Sequence, residues 1–182
     1  MVVVLAVLLG FAFGAADQYL GSRVMLGPWA ASVSVMSAPW LCLPFLFGWT
    51  QTRATRAMLV GAVVTSSAVA GYFAMTLSPV ENVPLAQAPH FLPYLVRSQI
   101  ATIVGGAVTG PVFGWLGYRW RVARSWMSAA LVVGALCLEP VARNASGRLS
   151  PPMLVWRLEV LAGVAVALGF LLVRVRGRAR TV

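Results

Sequence analysis

The sequence predicts an all-α membrane protein, a single bundle of about six transmembrane helices. Three observations carry that reading. Of the 182 residues, 60% are hydrophobic and only 10% charged, too few polar side chains to cover a water-soluble domain of this length. Six apolar stretches, residues 2–20, 30–49, 57–77, 94–118, 126–141 and 153–173, fill most of the chain. Most approach the ~20 residues that cross a bilayer core. The arginines fall mainly in every second gap between them, the charge pattern of a polytopic protein. No polar stretch is long enough to make a second domain, so residues 1–182 read as one integral membrane domain.

The first stretch ends in Gly14, Ala15 and Ala16 ahead of Asp17, which imitates a signal-peptide cleavage site. No Lys or Arg precedes its apolar run and five further stretches follow, so it is expected to remain as the first helix. Ala6, Gly10 and Gly14 recur at four-residue spacing, with Ala12 and Ala16 as a second pair. Such small-residue faces let membrane helices approach closely. The second stretch contains Pro39 and Pro44 and the fourth Gly110-Pro111, where a missing backbone donor is expected to kink the helix rather than break it. The third stretch follows Arg53 and Arg56 and leads into the longest connection, 78–93. Prolines at 79, 84, 89 and 93 predict a semi-rigid covering loop there with no continuous helix, in which Glu81 and His90 are candidate contacts. The fourth stretch offers a small face at Gly106, Gly110 and Gly114. The fifth is short and carries Glu139-Pro140 near its end, and the sixth runs into an arginine-rich tail suited to anionic headgroups.

The net charge of +10 comes from fourteen arginines and no lysine, a usage that fits a GC-rich bacterial coding sequence. The arginines are scattered at membrane edges with no sustained basic face, which argues against nucleic acid. If all six stretches cross, Arg53, Arg56, Arg119, Arg121, Arg124, Arg174, Arg176, Arg178 and Arg180 share one side. Arg23, Arg97, Arg143, Arg148 and Arg157 share the other. The positive-inside rule then predicts both termini in the cytoplasm of a bacterial inner membrane. Trp29, Trp49, Trp115, Trp120, Trp126 and Trp156 fall near predicted helix ends, as interfacial indoles do, with Trp40 the exception.

Cys42 and Cys137 lie inside apolar stretches and read as small hydrophobes. One histidine and two distant cysteines make no metal set, and no cofactor is implied. The Asn144-Ala145-Ser146 sequon carries little weight in a bacterial chain. No nucleophile, metal-ligand or phosphate-loop spacing points to an enzyme.

The sparse ionisable groups are the functional clue. Asp17, Arg97, Glu139, Arg157 and Glu159 fall at similar depths near one surface of four helices. An isolated charge there is costly, so these groups should pair or line a wet cavity. Arg157 and Glu159 are two residues apart and point to nearly opposite sides of their helix, so Arg157 or Arg97 is expected to reach Glu139. They form the candidate polar pocket. A layer that only fixes helix packing is the alternative.

The stretch from Gly27-Pro28-Trp29-Ala30 through Ser37-Ala38-Pro39-Trp40-Leu41, with Leu138-Glu139-Pro140, resembles an uncharacterised family of small bacterial polytopic membrane proteins. In size, span number and outer loops the chain is also similar to the substrate-binding subunit of energy-coupling-factor vitamin transporters. That likeness implies a solute site near the outer face and a membrane-protein partner engaged by small residues of the first helix, here Ala12 and Ala16. The sequence therefore predicts a protein that binds or helps translocate a small solute through an outward-facing polar pocket. A non-catalytic assembly or regulatory subunit is the alternative.

Orientation is testable by accessibility labelling of single cysteines at Thr55, Gln87, Ala123 and Gly147. The outer reagent should label Gln87 and Gly147 and spare Thr55 and Ala123. The reverse pattern would invert the protein.

Overall fold

The computed structural model describes residues 1–84, 87–147 and 152–179, all helix and connecting turn. Arg148 and Arg180, counted in the charge distribution, lie outside the described residues. In order, the helices are α1 (Val2–Ser22), α2 (Pro28–Ser34), α3 (Ala38–Trp49), α4 (Ala54–Thr76), α5 (Ala88–Ser98), α6 (Ile100–Ala123), α7 (Trp126–Ala145) and α8 (Met153–Ala179). Five of them, α1, α4, α6, α7 and α8, are long and apolar enough to cross a membrane. A sixth crossing arises if α2 and α3, bent by 48° across a short break, count as one span. The chain is an all-helical, multi-pass membrane protein.

The ends of the bundle alternate as an up-and-down path requires. Ser22, the last residue of α1, donates to Glu81 in the α4–α5 connection at 2.5 Å, and Arg23 donates to the Val80 carbonyl at 2.7 Å. At the opposite end Arg121 of α6 donates to the Thr50 carbonyl at 2.7 Å, fastening the α3–α4 turn.

Two kinds of packing hold the helices. Around α4 the contacts are backbone to backbone. A Cβ placed on Gly10 would overlap the Val64 carbonyl, on Gly14 that of Ala68, and on Gly71 that of Phe11, so α1 and α4 touch without intervening side chains. The same holds between α4 and α6 at Gly61, Gly110 and Gly114, and between α3 and α6 at Gly48 and Gly117. Gly106 faces the Thr65 methyl. The small faces of α1 and α6 thus both meet helices, and each is fitted against α4. Elsewhere the joint is aromatic. Trp120 is buried with Phe45, Leu116, Val132 and Leu136, and Phe170 of α8 reaches within 4.3 Å of the Trp120 ring.

Four expectations need correction. The second stretch is broken at residues 35–37, ahead of both prolines, because Pro39 suits the first turn of a new helix where no donor is required. The stretch 94–118 merges two helices: α5 ends at Ser98 and the spanning helix begins at Ile100, with Gln99 outside helical geometry. The connection 78–93 holds no continuous helix, as expected, but it is not loop throughout: Pro89 sits in the first turn of α5 and Pro93 is accommodated within it. Trp120 and Trp156 lie near helix ends, but both are enclosed by packed helices, at 1% and 3% exposure, rather than offered to lipid or water.

Gly14→Leu and Gly114→Leu force side chains into backbone and should lower thermal stability in detergent. Overpacking costs about 1–3 kcal/mol, and more where backbone must move. Gly169→Leu is the matched control, because a Cβ there meets nothing within 4 Å. Equal melting temperatures for all three variants would refute the close packing.

Candidate functional site

The break between α2 and α3 leaves helix-end backbone groups without partners in their own helices. Two side chains one turn apart on α7 satisfy both ends. The Glu139 carboxylate accepts from the Ser37 N–H at 2.7 and 2.9 Å and from the Ala38 N–H at 2.8 Å, capping α3. Pro39, the next residue, has no N–H to satisfy. A carboxylate at a helix N-terminus is also favoured by the helix dipole. Arg143 donates to the Val35 carbonyl, closing the end of α2, and pairs with Glu139 at 2.8 Å. Its guanidinium also lies 3.5 Å from the Ser37 hydroxyl and 5.4 Å from the centre of the Trp156 ring. The ion pair is largely enclosed, with 9% of Glu139 and 22% of Arg143 exposed.

Glu159 of α8 sits behind this clamp. It is 5% exposed, and its carboxyl group meets that of Glu139. It lies within electrostatic reach of Glu139, Arg143 and the Cys42 thiol. Val155 and Trp156, on the preceding turn, pack with Met36 in the break.

On the other side of the clamp opens a cavity of about 510 Å3. Its lining includes Arg143 and Ser37 of the clamp together with Asp17, Trp40, Thr65, Tyr72 and Gln99. Along α6 its lining runs from Gln99 to Thr109, about 15 Å at the helical rise, or half a bilayer core. Asp17 accepts from the Trp40 indole, and Trp40 is held edge-on by Phe13 with ring centres 5.2 Å apart. Thr65, midway along α4, is 5% exposed and its hydroxyl has no partner. A smaller cavity of about 260 Å3 shares Asp17 and Tyr72 and continues to Ser22 at the end of α1.

Of the residues singled out from sequence, Asp17 is on the cavity wall and Glu139 lies behind Arg143. Glu159 is buried beside the clamp and does not line the cavity. Arg97 and Arg157 are exposed and join neither. The expected Glu139–Arg157 pair is therefore corrected to Glu139–Arg143. Glu159 turns inward, and a residue two positions away on the same helix must face the opposite side. Glu81 holds Ser22, and His90 is exposed on α5, away from the cavity. Sequence reasoning missed Arg143 as a site residue, although Glu139-to-Arg143 is the i,i+4 spacing of a helical ion pair. It also missed Trp40, Thr65, Tyr72 and Gln99, for which no local motif gives a signal.

Comparison with protein-family models, with curated proteins and with solved structures finds no match to this chain.

The clamp makes a stability prediction with opposite signs for two carboxylates. Glu139→Gln and Arg143→Gln each strand a buried partner; breaking such a pair costs about 3–5 kcal/mol, and the partial exposure of Arg143 favours the lower end. A double-mutant cycle should show Glu139 coupled to Arg143 and additive with Arg157. Glu159→Gln removes a carboxylate that crowds Glu139 and keeps a donor toward it, and should leave the melting temperature equal or higher. A fall as large as that of Glu139→Gln would show that Glu159 has a stabilising partner.

Proposed function

We propose that the protein is a bacterial inner-membrane protein, with six spans and both termini cytoplasmic, that binds a small solute in an outward-facing cavity and helps move it across the membrane. The observation that carries this reading is the cavity itself. Its volume of about 510 Å3 lies within the range of small-molecule sites, about 300–1,000 Å3. Polar side chains from α1, α4, α6, α7 and the α2–α3 break converge on a mostly apolar wall. It extends toward the membrane midplane beside an interrupted helix, the arrangement that transporters use for substrate sites. The arginine distribution supports placing the Asp17 end outside.

The likeness to substrate-binding subunits of energy-coupling-factor transporters fits within this reading. Ala12 and Ala16 are exposed on α1, leaving that small-residue face free for a membrane-protein partner. A non-catalytic assembly or regulatory subunit is the second reading. It is favoured by the clamp, where Glu139 and Arg143 commit their bonds to the scaffold.

The test is native mass spectrometry for a co-purified solute, followed by saturable rebinding. Gly105 lines the cavity and a Cβ there meets nothing within 4 Å, so Gly105→Phe adds bulk at the wall without a clash. The variant should fold normally and lose at least tenfold in solute affinity. Unchanged binding would place the solute elsewhere, and no bound solute in either form would favour the structural subunit.

A further inference from the structure

The cavity contains two charged side chains, and their circumstances differ. Arg143 is spent: its charge is matched by Glu139 at 2.8 Å and its donors reach Val35 and Ser37. Asp17 has no ion-pair partner among the described residues; its side-chain hydrogen bond is the one from the neutral Trp40 indole. The cavity wall therefore presents an unmatched carboxylate. An unmatched charge at membrane depth calls for a counter-charge or water.

The surroundings of that carboxylate select the kind of counter-charge. Trp40, Tyr72 and Phe73 line the same cavity, and aromatic faces attract cations, the more so when desolvated. Trp40 is fixed by its edge contact to Phe13, and Tyr72 and Phe73 stand edge to face with centres 6.1 Å apart. A metal cation would need several anionic or carbonyl oxygens close together. Among the described residues no three His, Cys, Asp or Glu side chains gather to hold one, and the volume exceeds what a bare ion fills.

Resting on the solute-binding reading above, we propose that this cavity takes an organic cation, an amine or ammonium compound seated between the Asp17 carboxylate and the aromatic wall of Trp40, Tyr72 and Phe73. The smaller cavity that shares Asp17 and Tyr72 is its entrance, so the carboxylate stands where the two spaces meet.

Four probes of similar shape test the proposal on the unaltered protein in lipid nanodiscs: benzylamine, benzyltrimethylammonium, benzyl alcohol and benzoate. Binding is read by Trp fluorescence and by ligand-induced thermal shift. The two cations should bind at least tenfold more tightly than the neutral and anionic probes. Asp17→Asn should erase that preference, Asp17→Glu should retain it, and Phe73→Leu should weaken the cations without improving benzoate. Equal or tighter binding of benzyl alcohol or benzoate overturns the cation assignment and leaves the solute cavity standing. Absence of saturable binding by all four probes overturns the assignment. If no solute co-purifies either, the solute-binding reading falls with it. If Asp17→Asn does not fold, probe selectivity of the unaltered protein and the Phe73→Leu variant still decide.

Discussion

The Glu139–Arg143 pair satisfies freed backbone groups at both ends of the break between α2 and α3. The two functions are complementary in charge. The carboxylate takes the N–H groups that begin α3, and the guanidinium takes the carbonyl that ends α2. Because both side chains stand on one helix a turn apart, α7 fixes the position of the break, and with it the direction of α3. That direction carries Trp40 to Asp17 and Phe45 into the aromatic core. Pro44 in α3 is buried in the packed bundle, where the bend it imposes can be absorbed.

The glycine contacts determine where empty space can exist. On α6 the backbone approach runs through Gly110, Gly114 and Gly117, where a methyl group would collide with α3 or α4. No cavity can form along that length. The lining begins at Thr109 and continues through Gly106 and Gly105 toward Gln99, where the neighbours of α6 are side chains or open space. Tight packing at the Arg121 end and a polar opening at the Asp17 end are thus two consequences of one sequence of small residues. The absence of a Cβ at Gly105 keeps the wall recessed there.

Length and hydropathy were enough to read the membrane class, because crossing a bilayer is a local property of some 20 residues. Local boundaries were harder. The break before α3 had a signature in Ser37-Ala38-Pro39, a small polar residue followed by proline in the first helical turn, but the prolines drew attention as kinks. The junction at Gln99 lacks glycine and proline, so the apolar residues of α5 flow into those of α6 without punctuation. Counting residues assigns charged groups a depth and not a set of partners. Depth follows from counting residues along a helix, whereas pairing depends on rotation about the axis. Glu139 and Arg143 could be paired from sequence because both are on one helix. The union of Asp17 with Trp40, Tyr72 and Thr65 depends on how three helices turn toward one another, which no single segment encodes.

The clamp also bears on what the cavity can hold. Arg143 would be an obvious anchor for an anion were it free, yet its charge and its donors maintain the break. An anionic solute drawing the guanidinium into the cavity would strip Glu139 of its partner and expose the Val35 carbonyl. It would also meet the like charge of Asp17. A cationic solute would incur neither cost: it would approach a carboxylate whose side-chain hydrogen bond comes from the neutral Trp40 indole, and would leave the clamp intact. The same network that argues for a structural role on one face of Arg143 thus narrows the chemistry admitted on the other. Scaffold and site are consecutive layers of one arrangement.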